Sequence, residues 1–259
     1  MPDKNSIKSI EKCFQVVGCL YDADRALSLE ELVRRTGYKK TSCFRILKTM
    51  LSLKILEQNA ETKTYQFGTR LVLIGLAALK NMSLHKTSLP ILQKLRDETR
   101  ETVNLSILNG KEILYVERLM SNYIVNLNVN VGDRLPIHCT SMGKAILANL
   151  PENIAQKIMA EIRLEPKTKK TIVDPVALKR ELSQIKKKGY AENDEELEKG
   201  LRAVAAPILN HTGEAVAATN IVWTTARHPS RKAFEIFTPK IVSAAEQISV
   251  RLGYVKRWS

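Results

Sequence analysis

The stretch LSLEELVRRTGYKKTSCFRILKTMLSLK, residues 27–54, contains two short helical patterns separated by one glycine. Ser28 and Glu31 have the spacing of a capping box, in which the serine oxygen accepts an amide hydrogen bond and the glutamate accepts one from the serine amide. Gly37 follows the first pattern, as is typical of a residue that ends a helix. A second helix is predicted to begin near Lys40–Thr41. Two helices joined by a tight turn indicate a helix-turn-helix unit.

The second helix of this unit has an apolar and a polar side. Its apolar side, with Phe44, Leu47 and Met50, is expected to face the core of the small domain. The polar residues left on the outward side are Lys40, Thr41, Ser42, Arg45, Lys48 and Thr49. A helix fits the DNA major groove, and hydroxyl and arginine side chains near its N-terminus can bond bases or phosphates. Lys39, Lys40 and the helix N-terminus suit phosphate groups.

Basic residues are concentrated along this stretch. The chain of 259 residues has a net charge of +14. Residues 1–80 contain 14 basic and 8 acidic residues, and residues 81–259 contain 27 basic and 19 acidic residues, so the positive excess is spread over both parts. One segment, which we call the basic stripe, has seven basic residues and no acidic one: Arg34, Arg35, Lys39, Lys40, Arg45, Lys48 and Lys54. Nucleic acid is the expected partner of such a stripe, although a solvated basic helix has the same composition.

A predicted hairpin follows the two helices. Ile55–Gln58 and Thr64–Phe67 are separated by the polar turn NAETK, and aromatic residues alternate with polar ones in the second segment. A hairpin directly after a helix-turn-helix is a wing, and Lys63 at its tip could reach the DNA backbone or the minor groove. Upstream, apolar residues at helical spacing predict another helix over 6–21, with Ile7, Ile10, Phe14, Val17 and Leu20.

The remainder of the chain combines helical and strand patterns. Helices are predicted over 69–80, 86–100, 140–149, 151–160, 175–188 and 230–252, and strands over 102–109, 112–120, 123–131, 190–193, 202–209 and 214–223. This order indicates an α+β domain around one sheet. The helix over 69–80 is more apolar than a solvated linker, so we expect it to pack against a second subunit or within the core of its own chain.

Several classes of function lack their sequence features. The N-terminus MPDKNSIKSI has no apolar signal-peptide core, and the longest apolar run, Leu71–Leu79, is too short to span a bilayer, so no membrane association is expected. The four cysteines have no CxxC spacing and are expected to be thiols in a reducing cytoplasm. The histidines lack ligand spacing, and no Walker A loop or GxGxxG fingerprint occurs, so neither a metal nor a cofactor is expected.

Two groups of residues could suggest catalysis. His138 and Cys139 are adjacent, and on a strand they would point to opposite faces, which is unfavourable for a base and its nucleophile. An acidic run could suggest a metal or acid–base site, but such a run is more typical of a solvated turn; it comprises Glu192, Asp194, Glu195 and Glu196. The chain is therefore not expected to be an enzyme.

Three motifs of the chain resemble the IclR family of bacterial transcriptional regulators. The first is residues 27–58 followed by a hairpin and YQFGTRLVLIG, the second is HCTSMGKAILA at 138–148, and the third is GYAENDEELEKGLRAVAAPILNHTGEAVAATNI at 189–221. Their order and spacing are similar to the family from about Ser6 to Gly253. The resemblance implies a winged helix-turn-helix domain over 1–68, a linker helix over 69–84 and a GAF-like, antiparallel-sheet effector domain over 85–259. It also implies homodimers or homotetramers, palindromic double-stranded DNA operators and small-molecule, often carboxylate, effectors.

The resemblance also implies an effector pocket, whose residues are Ser141, Met142, Gly143, Asn193, Ala203, Asn220 and Val222. Many family members have Cys in place of Ala203, Asp in place of Asn193 and a Ser-x-Ser pair in place of 220–222, so this pocket lacks several donors and one negative charge. A neutral Asn193 would repel an anionic effector less than Asp. Free amides at the N-terminus of a helix in TSMGKAIL could hold a carboxylate, whereas Gly143 could instead allow close packing.

These features together predict a DNA-binding transcriptional regulator, a repressor controlled by a small-molecule effector. The alternative is a small-molecule-binding or catalytic domain whose basic N-terminal module docks RNA or a protein partner. Protection of two DNA half-sites about one helical turn apart would distinguish the two hypotheses.

Overall fold

The structure, a computed structural model, describes residues 7–121 and 129–255. The chain divides into two compact units, Met1–Asn81 and Met82–Ser259. Among the described residues, no helix has both the length and the hydropathy that crossing a bilayer requires.

The first unit is a winged helix-turn-helix. Its elements are α1 (Lys8–Ala23), α2 (Leu29–Thr36), α3 (Lys40–Ser52), β1 (Leu56–Gln58), β2 (Tyr65–Phe67) and α4 (Thr69–Asn81). The predicted capping box is confirmed, because Ser28 Oγ accepts the Glu31 amide at 3.2 Å and Glu31 Oε2 accepts the Ser28 amide at 2.9 Å. Gly37 ends α2 with a φ of 71°, a left-handed conformation that glycine adopts without strain.

The hairpin of the first unit is also confirmed, with Leu56 opposite Phe67 and Gln58 opposite Tyr65. The structure adds a contact that the sequence pattern did not predict. Leu27 forms a bridge to Tyr65, with both backbone N–H groups donating to the partner carbonyl at 3.0 and 2.8 Å. This bridge joins the start of the helix-turn-helix to the hairpin, so the wing is held by backbone hydrogen bonds as well as by packing.

The predicted burial of Phe44 is wrong. Cys43, Leu47 and Met50 fill the inward face of α3, and the Phe44 side chain is 46% exposed. A residue one position after Cys43 lies about 100° further around the helix, which carries the Phe44 ring away from the core. Leu47 and Met50, the other two residues assigned to this face, are buried as predicted.

Apolar side chains are also exposed on α1 and α4. On α1 the core positions are Val16 and Leu20, while three residues of the predicted apolar spacing are exposed: Ile7, Ile10 and Phe14. On α4 the exposed apolar residues are Val72, Leu73, Ile74 and Leu76. The alternative that α4 is an ordinary core helix of its own chain is therefore wrong.

The second unit is an antiparallel sheet with helices on both faces. Its helices are α5 (Ser83–Thr99), α6 (Ser141–Ala148), α7 (Glu152–Glu161), α8 (Pro175–Lys188) and α9 (Lys232–Arg251). Its strands are β3 (Thr102–Asn109), β4 (Glu112–Leu119), β5 (Arg134–Pro136), β6 (Ala191–Asp194), β7 (Leu201–Leu209) and β8 (Ala215–Thr224). The strand order is β5-β4-β3-β8-β7-β6. The predicted α+β class with a GAF-like sheet domain is confirmed.

The two faces of this sheet are occupied by different helices. Trp223 of β8 packs its ring against Phe234 and Phe237 of α9, with ring centroids 4.9 and 5.0 Å apart. Neighbouring residues of a strand point to opposite faces, so Val222 lies on the other face. On that face Ser106 of β3 donates a hydrogen bond to the sulfur of Met142, which belongs to α6. The face covered by α6 carries the candidate ligand cavity.

A bulge in β4 changes which residues face that cavity. Leu105 is opposite Glu117 but Ser106 is opposite Tyr115, so Val116 is the extra residue of β4. Tyr115 and Arg118, three positions apart, therefore share one face of the sheet.

Two local predictions differ from the structure. Of the predicted strand over 123–131, residues 122–128 lie outside the described residues and 129–131 do not form a strand, whereas the short β5 at Arg134–Pro136 was not predicted. His138 and Cys139 lie in an irregular segment between β5 and α6 and not on a strand.

Candidate nucleic-acid interface and ligand cavity

The outward face of α3 carries two basic side chains, Arg45 and Lys48, that form no ion pair among the described residues. Arg45 and Lys48 lie on the side of the helix away from Cys43 and Leu47, and Thr41 lies one turn before Arg45 on the same face. Of the seven residues of the basic stripe, Lys40 is the one that forms an ion pair within the described part of the chain, with Glu30 at 3.0 Å. The structure thus leaves Lys39, Arg45 and Lys48 available to an external anion.

One flank of α3 forms a groove against α1. The groove has a volume of about 520 Å³, and α3 contributes Ser42, Arg45, Ile46 and Thr49 to its wall. Ser42, one of the predicted DNA-facing residues, is half-buried in this groove. It therefore lies at the edge of the outward face of α3 and not at its centre. Arg45 lines the groove and also lies on the outward face of α3.

Lys63 lies in the turn of the wing and is exposed. Its backbone is in the left-handed region, with a φ of 56°, in a turn that Asn59 stabilises by accepting the amides of Glu61 and Thr62 at 2.9 Å each. The turn therefore presents the Lys63 side chain at the tip of the hairpin.

The second unit contains a small cavity between its sheet and α6. Five of the seven residues predicted from the family resemblance line it: Ser141, Asn193, Ala203, Asn220 and Val222. The other described lining residues are Asn104, Tyr115, Arg118, Val129, Leu135, Thr140, Leu197 and Leu201. The cavity volume is about 20 Å³, which is room for about one water molecule.

The remaining two predicted pocket residues lie behind the cavity wall. Met142 is fully buried and accepts the Ser106 hydroxyl at 3.3 Å, as part of the core under α6. A Cβ added to Gly143 would lie 2.3 Å from the Ile137 carbonyl oxygen, so glycine is required for close packing at this position. The Gly143 amide donates to Thr140 Oγ1 at 3.2 Å and is therefore not free for a ligand.

Hydrogen bonds fix the amide side chains around the cavity. Asn104 donates to Asn220 Oδ1 at 2.8 Å, and Asn220 lies 3.5 Å from Ser141 Oγ. Asn193 donates to the Cys139 carbonyl at 2.5 Å and accepts the Glu196 amide at 3.2 Å, so its polar atoms hold two loops together. The buried Oδ1 of Asn104 has no hydrogen-bond partner among the described residues and remains an acceptor.

Arg118 is the one charged side chain among the described residues that line the cavity. Burial lowers the pKa of its guanidinium below the ordinary value, but arginine remains protonated in proteins. Neither Arg118 nor Asn104 was among the predicted pocket residues. The bulge at Val116 explains why Arg118 lines the cavity. With regular alternation from Tyr115, Arg118 would lie on the opposite face of the sheet.

The acidic run over 192–196, which occupies the end of β6 and the loop after it, is not the solvated turn that its composition suggested. Glu196 is buried and its Oε1 contacts the ammonium of Lys144 at 2.5 Å, and Lys144 is itself only 1% exposed. Burial raises the pKa of Glu196 despite the neighbouring lysine. Burial alone would also raise the pKa of Asp194, but the hydrogen bond and charge of Arg202 lower it below its ordinary value. Among the described residues, no group of three or more metal-ligating side chains occurs.

His138 and Cys139 are both buried. His138 Nε2 lies 3.1 Å from the Glu165 carbonyl oxygen, and burial lowers the pKa of its imidazole. Burial raises the pKa of the Cys139 thiol to about 11. A thiol that stays protonated at neutral pH is a poor nucleophile, so the buried environment disfavours a catalytic dyad here.

Sequence and structure comparisons agree on one family. The family model described as the IclR helix-turn-helix domain matches residues 9–60, and that described as "Bacterial transcriptional regulator IclR C-terminal" matches residues 76–250. The HTH-type transcriptional regulator KdgR of Escherichia coli is 29% identical over 250 residues, which cover 96% of this chain and 94% of KdgR. The transcriptional repressor IclR of Escherichia coli is 28% identical, with 97% of this chain and 92% of the relative covered.

Solved structures resemble the chain over nearly its whole length. A transcriptional regulator from Rhodococcus is 29% identical with a TM-score of 0.80, and the match covers 95% of this chain and 98% of that one. The Thermotoga maritima IclR structure is 27% identical with a TM-score of 0.71, covering 96% and 100% respectively.

Proposed function

The chain belongs to the IclR family of bacterial transcriptional regulators, and from that premise we propose that it is a cytoplasmic repressor of a palindromic operator controlled by a small carboxylate effector. The proposed domains are the winged helix-turn-helix over 1–68, the linker helix over 69–84 and the effector domain over 85–259. The proposed DNA contacts are Lys39, Lys40, Thr41, Ser42, Arg45, Lys48 and Lys63. The name of the Escherichia coli relative, a transcriptional repressor, supports the repressor role.

The observation that carries this function is the outward face of α3. Arg45 and Lys48 are held on a helix next to a wing, and neither forms an ion pair among the described residues. Arginine on a helix in the major groove bonds guanine O6 and N7 in a bidentate geometry, and lysines beside it neutralise phosphates. The face therefore has both the base-reading and the backbone-binding groups that a DNA regulator needs.

The proposed homodimer or homotetramer is supported by the exposed apolar side chains of the first unit. Phe14 and Ile10 of α1 and Leu73 and Leu76 of α4 are large apolar residues that stay accessible to water in a single chain. Several large apolar side chains exposed in one small unit are typical of a protein–protein contact. A dimer would also present two α3 helices to the two halves of a palindrome.

The proposed effector class follows from the chemistry of the cavity. Arg118 supplies a positive charge that matches a carboxylate, and Asn104 Oδ1 supplies an acceptor for a ligand hydroxyl or N–H group. The proposed effector contacts are the predicted residues that line the cavity, Ser141, Asn193, Ala203, Asn220 and Val222, together with Arg118. Met142 and Gly143, which were also predicted, are proposed to support the cavity wall from behind. A cavity of about 20 Å³ is smaller than such a ligand, so binding requires a second, more open arrangement of its walls. A ligand that favours that arrangement shifts the equilibrium between two states, which is the requirement for a switch.

The DNA hypothesis is tested by selecting duplexes from a random pool with the full chain and footprinting the selected sites. We expect two protected half-sites about one helical turn apart. Binding to single-stranded RNA, or to no nucleic acid at all, would overturn the proposal and favour the docking-module alternative.

The effector hypothesis is tested by a thermal-shift screen that pairs small carboxylates with their uncharged amides. We expect stabilisation by at least one carboxylate and not by its amide, and loss of this response in Arg118→Gln. The matched control is Arg134→Gln, which removes a charge outside the cavity lining. If a carboxylate stabilised wild type and Arg118→Gln equally, the cavity assignment would be wrong.

A further inference from the structure

The exposed Phe44 ring is not part of the hydrophobic core of the first unit. The apolar side of α3 is completed by Cys43, Leu47 and Met50, which are all buried. Phe44 leaves nearly half of its surface in water, a state that disfavours a large apolar side chain. An external partner that covers this ring would recover that free energy.

The position of Phe44 identifies the surface it belongs to. Thr41, Phe44, Arg45 and Lys48 follow one another at spacings of three, one and three residues, so they share the outward half of α3. The Lys48 ammonium lies 5.9 Å from the centroid of the Phe44 ring. The groove against α1 is on the other flank of α3, where Ser42 and Thr49 lie, and Phe44 is not part of it.

We infer that Phe44 is a base-reading residue that packs on the 5-methyl group of a thymine in the operator. The major groove displays donors and acceptors on every base pair, but its apolar feature is the thymine methyl group, which apolar side chains such as phenylalanine contact. The positive charges on either side of the ring match a polyanion and disfavour an apolar protein surface. This inference rests on the proposed DNA-binding function of α3.

Phe44 would add to the recognition surface a residue that selects a base through an apolar contact. Arg45 would select a guanine through hydrogen bonds and Lys48 a phosphate through charge, and neither distinguishes thymine from uracil. Phe44 would make that distinction at one base pair for each α3 that enters the groove.

The experiment measures the affinity of the full-length protein for its selected operator by fluorescence anisotropy, with each thymine replaced in turn by deoxyuridine. Removing one buried methyl group is expected to weaken binding by wild type about fourfold at the contacted position. Phe44→Ala is expected to bind the thymine operator about tenfold more weakly and to bind the thymine and deoxyuridine duplexes equally. Phe44→Leu, which keeps an apolar side chain, should retain part of the discrimination.

Two control measurements separate this role from others. The slope of log affinity against log salt concentration should be unchanged in Phe44→Ala, because no phosphate contact is lost, and the sedimentation coefficient should equal that of wild type. The inference is overturned if every deoxyuridine substitution affects wild type and Phe44→Ala equally, or if Phe44→Ala loses DNA through a changed oligomeric state. A wild-type protein that selects no DNA would instead overturn the proposed function itself.

Discussion

The outward face of α3 and the surroundings of α6 use charged residues in opposite ways. On α3, Arg45 and Lys48 are exposed and have no ion-pair partner among the described residues. On α6, Lys144 is buried and its charge is matched by Glu196. Exposed basic residues without an ion-pair partner can bind an external anion, whereas the charges of a buried ion pair compensate each other within the chain.

The comparison explains why net charge was a weak guide to function. More than half of the charge excess lies in residues 81–259, where Arg202 and Arg231 are paired with Asp194, and Lys170 with Glu195. Because the charges of an ion pair cancel, the net charge does not tell which basic residues are paired and which are free to bind an anion. The pairing of each basic residue, not the total, distinguishes the DNA-facing part of the chain.

The largest expected effect concerns the buried Lys144–Glu196 ion pair. Lys144→Ala leaves the Glu196 carboxylate buried without its counter-charge, so we expect the free energy of unfolding to fall by about 3–5 kcal/mol. The loss is measured by urea unfolding followed by tryptophan fluorescence in a Trp258→Phe background. This background leaves Trp223, which is buried in the second unit, as the sole tryptophan of the sequence.

The matched control replaces both charges. Lys144→Met combined with Glu196→Leu removes the pair without leaving a lone buried charge, and we expect most of the lost stability to return. A double variant as unstable as Lys144→Ala would show that packing at position 144, and not charge compensation, explains the loss.

The next largest effect concerns the exposed basic residues on the outward face of α3. Arg45→Ala is expected to weaken specific operator binding by roughly 10- to 100-fold, as for the loss of one bidentate base contact. Lys40→Ala is the matched control, because its ammonium already pairs with Glu30 and should contribute less. Equal losses in both variants, measured by anisotropy on the selected operator, would contradict the distinction between paired and unpaired basic residues.

Local patterns predicted the first unit well because its determinants are local. The Ser28–Glu31 capping box and Gly37 act within one helix, and both are present in the structure. Phe44 was assigned to the wrong side of α3 because it and Cys43 are adjacent apolar residues. Only the position of the core decides which of the two is buried, and that depends on how α1 packs.

The cavity of the second unit was predicted only in part because its shape depends on pairing between distant strands. Ser141 and Asn193 were found through the family resemblance, and both line the cavity. Arg118 was missed because one extra residue in β4 reverses the alternation of faces, and no sequence pattern marks that bulge. Glu196 was missed as a core residue because its partner Lys144 is 52 positions away.

A smaller effect is expected from Lys39, whose ammonium is suited to a phosphate and not to a base. Lys39→Ala should lower affinity for specific and non-specific duplexes to a similar extent, and it should reduce the magnitude of the salt slope by about one. Titrations at several salt concentrations measure both quantities. A loss confined to the selected operator would instead place Lys39 at a base edge.

The smallest expected effect concerns the charge in the α2 capping box. The hydrogen bonds from Arg25 and from the Ser28 amide lower the pKa of Glu31 from its ordinary value near 4.5 to about 2. A carboxylate whose pKa is lowered by folding stabilises the fold above its unfolded pKa, and this contribution is lost as the pH falls from about 4.5 towards 2. Glu31→Gln can still accept the Ser28 amide but cannot pair with Arg25. The melting temperature of Glu31→Gln should therefore be slightly below that of wild type at pH 7, and the difference should shrink as the pH is lowered to 3. A difference that stays constant over this range would show that the charge of Glu31 does not stabilise the first unit.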